Sequence, residues 1–135
     1  MDYITADRIL TKQYRCRNHC TVIACALVAE VNVGKAYQAM KHQANRPRKG
    51  GCHGVEKVTE KLAKKRLIPY RAFENGTLHQ WSKKLPKKGK FMIFTRGHVS
   101  AFIDGVLQDW TNPKFSHRTS GSRAKVLYIL QLEEK

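Results

Sequence analysis

Residues 98–110, His-Val-Ser-Ala-Phe-Ile-Asp-Gly-Val-Leu-Gln-Asp-Trp, carry the pattern that decides the fold. Two mostly apolar runs, 98–103 and 106–110, flank the pair Asp104-Gly105. An Asp-Gly pair between two such runs is a strong signal for a two-residue β-hairpin turn. The stretch therefore predicts two neighbouring antiparallel strands.

The segments around this hairpin predict the rest of a sheet. Phe91 to Phe94 is a short apolar run, and Val126 to Leu132 is apolar on both faces for most of its length, which predicts an inner strand. Residues 67–73 predict a short strand at a sheet edge, because Pro69 cannot donate a ladder hydrogen bond. The second half of the chain thus predicts an antiparallel sheet.

The first half of the chain predicts helices. Residues 20–29 are apolar nearly all round and contain neither Gly nor Pro, which predicts a buried central helix. Apolar residues recur at helical spacing over about 35–44 and again over 55–62. The first twelve residues are expected either to pack as a short helix or to lie loosely against the domain.

One further short helix interrupts the change from helices to strands. Thr77 can cap it, and Pro86 ends it. Helices followed by an antiparallel sheet indicate the α+β class, and 135 residues suit a single domain over residues 1–135.

The four cysteines and the absence of a long apolar stretch bear on the compartment. No run approaches the roughly 20 apolar residues that span a bilayer, and the N-terminus lacks the layout of a signal peptide. We therefore expect a cytoplasmic protein whose cysteines are free thiols or metal ligands. The even count permits two disulfides, but nothing indicates export. The cysteines are Cys16, Cys20, Cys25 and Cys52.

The hairpin brings a histidine and a carboxylate together. Counting outward from the turn places His98 opposite Thr111 and diagonal to Asp109, on the same face of the two strands. A carboxylate there can accept from one imidazole nitrogen and leave the other for a thiol. A register slip of one residue would bring Asn112 or Gln108 to His98 instead.

Cys20 is the candidate thiol, because it opens the buried helix. Aligned backbone N–H groups at a helix start stabilise a thiolate, and the flanking Arg15 and Arg17 would lower the pKa of the thiol further. The backbone N–H of Cys20 is also free to donate to an oxyanion. Cys25 lies inside the apolar helix and is expected to be inert core.

These two segments resemble a known family. Residues 17–27, Arg-Asn-His-Cys-Thr-Val-Ile-Ala-Cys-Ala-Leu, followed by residues 96–109, are similar to the papain-like cysteine peptidase superfamily. The likeness is to its small bacterial and phage-encoded members, in the style of the bacteriocin-processing and NlpC/P60 peptidases. The resemblance implies a papain-like fold with Cys20 as nucleophile, His98 as general base and acid, and Asp109 as the orienting residue.

The same resemblance bears on the groups around the nucleophile. In the family a Gln shortly before the Cys completes the oxyanion hole; here Gln13 lies seven residues before Cys20, one more than the usual six, and Asn18 is the alternative. Gly51, in a glycine-rich loop, and Trp110 are candidates for lining the cleft, or are structural.

The activity that the resemblance implies is acyl transfer through a thioester, by a peptidase, isopeptidase or amidase without a cofactor. The substrate would be a peptide or another amide, with a host protein as the expected partner of a phage or mobile-element accessory protein. Such a protein would act in the bacterial cytoplasm.

A metal site is the chemical alternative. Cys16, His19 and Cys20, together with Cys52 and His53, could supply four zinc ligands. The spacing of the first pair suits zinc, but the adjacency of the last two residues makes tetrahedral ligation awkward.

The net charge supports an alternative of another class. Twenty-six Lys and Arg oppose 10 Asp and Glu, a formal charge of +16, which favours anionic partners including nucleic acid. A dispersed basic surface also simply keeps a small protein soluble. No recognisable nucleic-acid motif accompanies the charge. A non-enzymatic nucleic-acid- or host-protein-binding protein on the same scaffold is therefore the alternative function.

Overall fold

The computed structural model describes residues 1–14, 20–43, 54–70, 75–109, 112 and 124–134. Within these residues the chain forms five helices and five strands, helices mostly first, which confirms the α+β class. The helices are α1 (Tyr3–Gln13), α2 (Cys20–Ala29), α3 (Val33–Gln43), α4 (Val55–Ala63) and α5 (Leu78–Lys84). The strands are β1 (Leu67–Pro69), β2 (Lys90–Thr95), β3 (His98–Ile103), β4 (Val106–Gln108) and β5 (Val126–Leu132).

The strands form one open antiparallel sheet in the order β1-β5-β2-β3-β4. β5 pairs with both β1 and β2, so the prediction of an inner strand at 126–132 is confirmed. β1 lies at the edge, where Pro69 can be accommodated because no further strand needs its missing N–H. The site residues belong to the other side of the sheet, on β3 and after β4.

Helix α2 is the centre of the main core. Residues 21–28 are all buried, and the helix packs on β3 as well as on α3 and α4. From the sheet, Met92, Val99 and Ala101 join this core. The prediction of a buried central helix is confirmed, and the burial holds the first residue of the helix, Cys20, against the sheet.

Helix α1 settles how the N-terminal segment is arranged. Asp2 caps the helix by accepting from the backbone N–H of Thr5, and Ala6 and Leu10 are fully buried in the α2 core. Of the two arrangements expected for the first twelve residues, the chain adopts the packed helix. The backbone N–H of Tyr3 also donates to Gln108 Oε1 at 2.8 Å.

The opposite face of the sheet is covered by α5. Thr77 and Gln80 form a capping box at its start, as a Thr three residues before a Gln allows. Leu78, Trp81 and Leu85 pack on Phe91, Ile93, Phe102 and Ile129 of the sheet. The short helix predicted between Thr77 and Pro86 is thus confirmed, and the sheet lies between two helical layers.

Strand β5 departs from its expected burial. Leu127 is 57% and Tyr128 40% exposed, although the strand is inner. A register shift opposite Phe94 and Thr95 interrupts the pairing with β2 at this point. Tyr128 stacks on Phe94 with ring centroids 4.4 Å apart, and its hydroxyl donates to Glu56. The irregularity turns these side chains outward, which an apolar pattern alone cannot indicate.

No single helix among the described residues is long and apolar enough to cross a bilayer; only α2 and α3 taken together pass the length and composition test, as a pair bent by 120°.

Candidate active site

Two tight turns set the positions of β3 and β4. Arg96-Gly97 joins β2 to β3, with Thr95 paired to His98 and Gly97 at φ +69°. Asp104 and Gly105 join β3 to β4, with φ angles of +47° and +89°, the left-handed values that a two-residue hairpin turn of type I′ requires. The predicted turn is therefore confirmed.

The predicted register of the hairpin is confirmed as well. Ile103 pairs with Val106 and Ala101 with Gln108, which leaves Asp109 as the first residue after β4. β4 is shorter than the predicted strand, because it ends at Gln108; Trp110 lies outside the described residues.

This register brings His98 and Asp109 into contact. His98 Nε2 and Asp109 Oδ1 are 2.8 Å apart, and Asp109 is only 2% exposed. Such a short, buried contact allows the imidazolium N–H to donate to the carboxylate. The bond orients the ring and directs its other nitrogen, Nδ1, away from Asp109.

The two residues that a register slip would have favoured have other partners. The side-chain amide of Asn112 donates to the backbone oxygen of Leu107 at 2.8 Å, and its backbone N–H donates to the oxygen of Asp109 at 3.1 Å. Gln108 accepts from the N–H of Tyr3. Asn112 thus bonds the backbone at Leu107 and at Asp109, a supporting role that sequence reasoning missed.

Cys20 meets His98 across the interface between helix and sheet. The half-buried Cys20 is the first residue of α2 and lies beside His98, close enough for the imidazole to lower the pKa of its thiol. The backbone N–H of Val99 lowers this pKa as well. Since Nε2 is engaged by Asp109, Nδ1 is the nitrogen that remains for the thiol. A sulfur, an imidazole and a carboxylate are therefore aligned in the order predicted.

The protonation of this set follows from its contacts. Burial raises the pKa of the Cys20 thiol, but the hydrogen bond and positive charge of His98, with the Val99 N–H, outweigh burial and lower the pKa overall. Burial also disfavours a charged His98, yet the hydrogen bonds and charges of Asp109 and Cys20 raise its pKa to about 10. Both shifts favour the charged pair, a thiolate beside an imidazolium, over a neutral thiol beside a neutral imidazole.

The remaining predicted residues are distributed as follows. Gln13 is the exposed last residue of α1. Cys25 is fully buried in α2, in the core position expected for it. The predictions for Asn18 and Trp110 and for the loop with Gly51 fall outside the described residues, as do the arginines and zinc-ligand candidates: Arg15, Arg17, Cys16, His19, Cys52 and His53.

Two observations concern what surrounds the site. In the part of the chain that the structure describes, no group of three or more His, Cys, Asp or Glu could hold a metal ion. A cavity of about 440 Å³ is lined by Leu27, Glu30 and Ile103 among others, at the far end of α2 from Cys20. This cavity is therefore separate from the thiol.

Comparison of the chain with protein-family models, with curated proteins and with solved structures found no match.

Proposed function

We propose that the protein is a papain-like cysteine hydrolase or acyl-transferase. One observation carries the proposal: Cys20 lies beside His98, whose imidazole lowers the pKa of the thiol, and His98 Nε2 is 2.8 Å from the buried carboxylate of Asp109. A nucleophile, a base within hydrogen-bonding reach and a group that orients the base are the parts that covalent acyl transfer requires. The helix that begins at the nucleophile and packs on an antiparallel sheet supports a papain-like arrangement.

The reaction proposed begins from the thiolate–imidazolium pair. The sulfur of Cys20 attacks a carbonyl carbon, and the carbonyl oxygen becomes an oxyanion. His98 then gives its proton to the leaving amine as the carbon–nitrogen bond breaks, which leaves a thioester on Cys20 and a neutral imidazole. The imidazole takes a proton from water or from an incoming amine, whose attack on the thioester releases the acid or the new amide.

The oxyanion would be stabilised by donors around Cys20. We place the first donor in the backbone N–H of Cys20, the first residue of α2, because the N–H groups that open a helix have no acceptor within it. Gln13 and Asn18 stay the candidates for a second donor. The substrate proposed is a peptide, isopeptide or other amide on a host protein. The chain itself would be a phage or mobile-element accessory protein that acts in the bacterial cytoplasm.

Alkylation of the native protein by iodoacetamide across pH tests the activated thiol. Site mapping should find Cys20 labelled first, with a midpoint well below the ~8.5 of an ordinary thiol. His98→Ala should move this midpoint up to 8.5 or above, because the imidazolium is lost. His79→Ala, an exposed histidine on α5, is the matched control and should change nothing.

Acylation tests the chemistry beyond ionisation. Reaction with p-nitrophenyl acetate should leave an acetyl group on Cys20, seen by mass spectrometry, and the group should be lost with time as the thioester hydrolyses. His98→Ala should slow both steps. Labelling of Cys20 no faster than that of the denatured chain, or acetylation independent of His98, would refute the proposal.

The alternative function, binding without catalysis on the same scaffold, is favoured by one observation, the excess of positive charge. It predicts that a partner binds Cys20→Ala as tightly as the wild type and that no acyl adduct forms.

A further inference from the structure

Four exposed lysines lie close together in sequence after the middle of α5. Lys83 and Lys84 end the helix, and Lys87 and Lys88 follow in the connection to β2; all four are exposed. Two lysines in the last turn of a helix favour its dipole, which is a structural reason for Lys83 and Lys84. That reason does not extend to Lys87 and Lys88, which lie beyond the helix.

The connection that carries these lysines is held rigidly. The backbone N–H of Asp104 donates to the oxygen of Gly89 at 2.9 Å, and the N–H of Gly89 donates to Asp104 Oδ1 at 3.1 Å. Leu85 is buried on the sheet, and Lys87 lies against the hairpin turn at Gly105. The backbone of the loop is thus attached to the hairpin turn, which fixes where its lysines leave the surface.

Little negative charge offsets these lysines. Among the described residues, the salt bridges are those of Lys90 with Glu30 and of His98 with Asp109, so none of the four lysines is in one. One carboxylate, that of Asp104, lies beside the loop, and its Oδ1 accepts from the Gly89 N–H. Lys84 lies 5.6 Å from the ring centroid of the buried Trp81. The four ammonium groups therefore present a concentrated positive surface to solvent.

The lysine segment and the thiol are at opposite ends of the domain. Lys90 pairs with Ile103, the last residue of β3, whereas His98 is the first. The six-residue strand separates the two ends by about 17 Å at ~3.4 Å per residue. α2 runs the same way, from Cys20 beside His98 to Glu30, whose carboxylate pairs with Lys90. The lysines and the thiol therefore belong to separate regions of the surface.

We propose that Lys83, Lys84, Lys87 and Lys88 form a binding surface for the phosphate backbone of nucleic acid, distinct from the thiol site. Lysines bind phosphates as point charges, and four exposed lysines within six positions of the chain can contact several phosphates of one nucleic-acid backbone. The formal charge of +16 on the whole chain adds long-range attraction for such a polyanion. This proposal does not depend on catalysis.

Salt-dependent binding of a fluorescein-labelled DNA duplex of about 20 base pairs tests the surface, because each phosphate contact contributes about 0.9 to the slope of log K against log salt. Changing all four lysines to Gln should therefore lower the slope by about 3 to 4. The matched control changes four other exposed cations, which lie on or next to α4 near Glu60 and Glu133, and should lower the slope by less than about 1. The control set is Lys57, Lys61, Lys64 and Arg66.

Both variants fall from +16 to +12, so net charge alone would make them equal. Equal slopes for the two variants, or failure of the wild type to bind the duplex at low salt, would overturn the proposal. Tighter binding of polyglutamate than of the duplex at the same salt would overturn it in favour of an acidic protein partner. Alkylation of Cys20 should be the same in both variants, which separates this test from that of the proposed enzyme.

Discussion

Replacing Cys20 by serine should make the free energy of unfolding fall as pH rises, because the charge on His98 then has no thiolate to compensate it. The ion pair proposed for the folded wild type has its proton on His98 and none on the thiol, a state that the lowered pKa of Cys20 and the raised pKa of His98 both favour. In the unfolded chain near pH 8 the reverse holds, because an ordinary His is neutral and an ordinary Cys is protonated. Both states of the wild type then bind about one proton, so the pair contributes little pH dependence between about pH 7 and 8, above the ordinary His pKa of about 6.5 and below the ordinary Cys pKa of about 8.5.

The serine variant removes this compensation. Its folded state still holds a proton on His98, whose pKa Asp109 keeps raised, while its unfolded state holds none above the ordinary His pKa of about 6.5. A group with a raised folded pKa contributes its stability below the unfolded pKa and loses it as pH rises toward the folded one. The limiting slope is about 1.4 kcal/mol per pH unit, or about 1 kcal/mol lost between pH 7 and 8 relative to the wild type.

Urea unfolding at a series of pH values measures this difference. Other titrating groups are common to both proteins and cancel in the comparison. Cys25→Ser is the control, because that thiol lies away from the site and should leave the shape of the profile unchanged. Parallel stability profiles for wild type and Cys20→Ser between pH 7 and 8 would refute the ion pair.

Two further changes test other contacts. Asp109→Asn removes a carboxylate that raises the pKa of His98, and it should lower that pKa by about 1 to 3 units, because a neighbouring opposite charge has an effect of this size. Titration of ¹⁵N-labelled histidines by NMR measures the pKa. An unchanged value would contradict the assigned contact. Leu10→Ala should lower the free energy of unfolding by about 2 to 5 kcal/mol, because the Leu10 side chain is fully buried under α1. Urea unfolding measures this loss, with the exposed Lys12→Ala as the control. A loss below about 1 kcal/mol would mean that α1 does not pack on the domain.

The contact between His98 and Asp109 could be predicted because it is local. An Asp-Gly turn determines which residues of the two strands face each other, and alternation determines which share a face. Eleven positions of chain therefore suffice to bring the imidazole and the carboxylate together. The burial of α2 and the cap at Thr77 are local in the same sense, since each follows from the composition of a single segment.

Other features needed the assembled domain. The Val99 N–H reaches Cys20 only because α2 packs along β3, and the exposure of Leu127 and Tyr128 follows from a register shift between distant strands. The rigid attachment of the lysine loop is likewise made by Asp104, fifteen positions from Gly89. No pattern within one segment specifies such contacts.

The amino-acid sequence alone determined the element types, the hairpin register and the chemistry of a candidate thiol. Turn geometry and apolar periodicity act over a few residues, so each of these features can be predicted within one segment. The meeting of Cys20 and His98, 78 positions apart, was decided by tertiary packing. Because α2 is apolar nearly all round, its own sequence does not specify which of its sides faces the sheet. The side chains of α2 and β3 together determine where the sulfur lies.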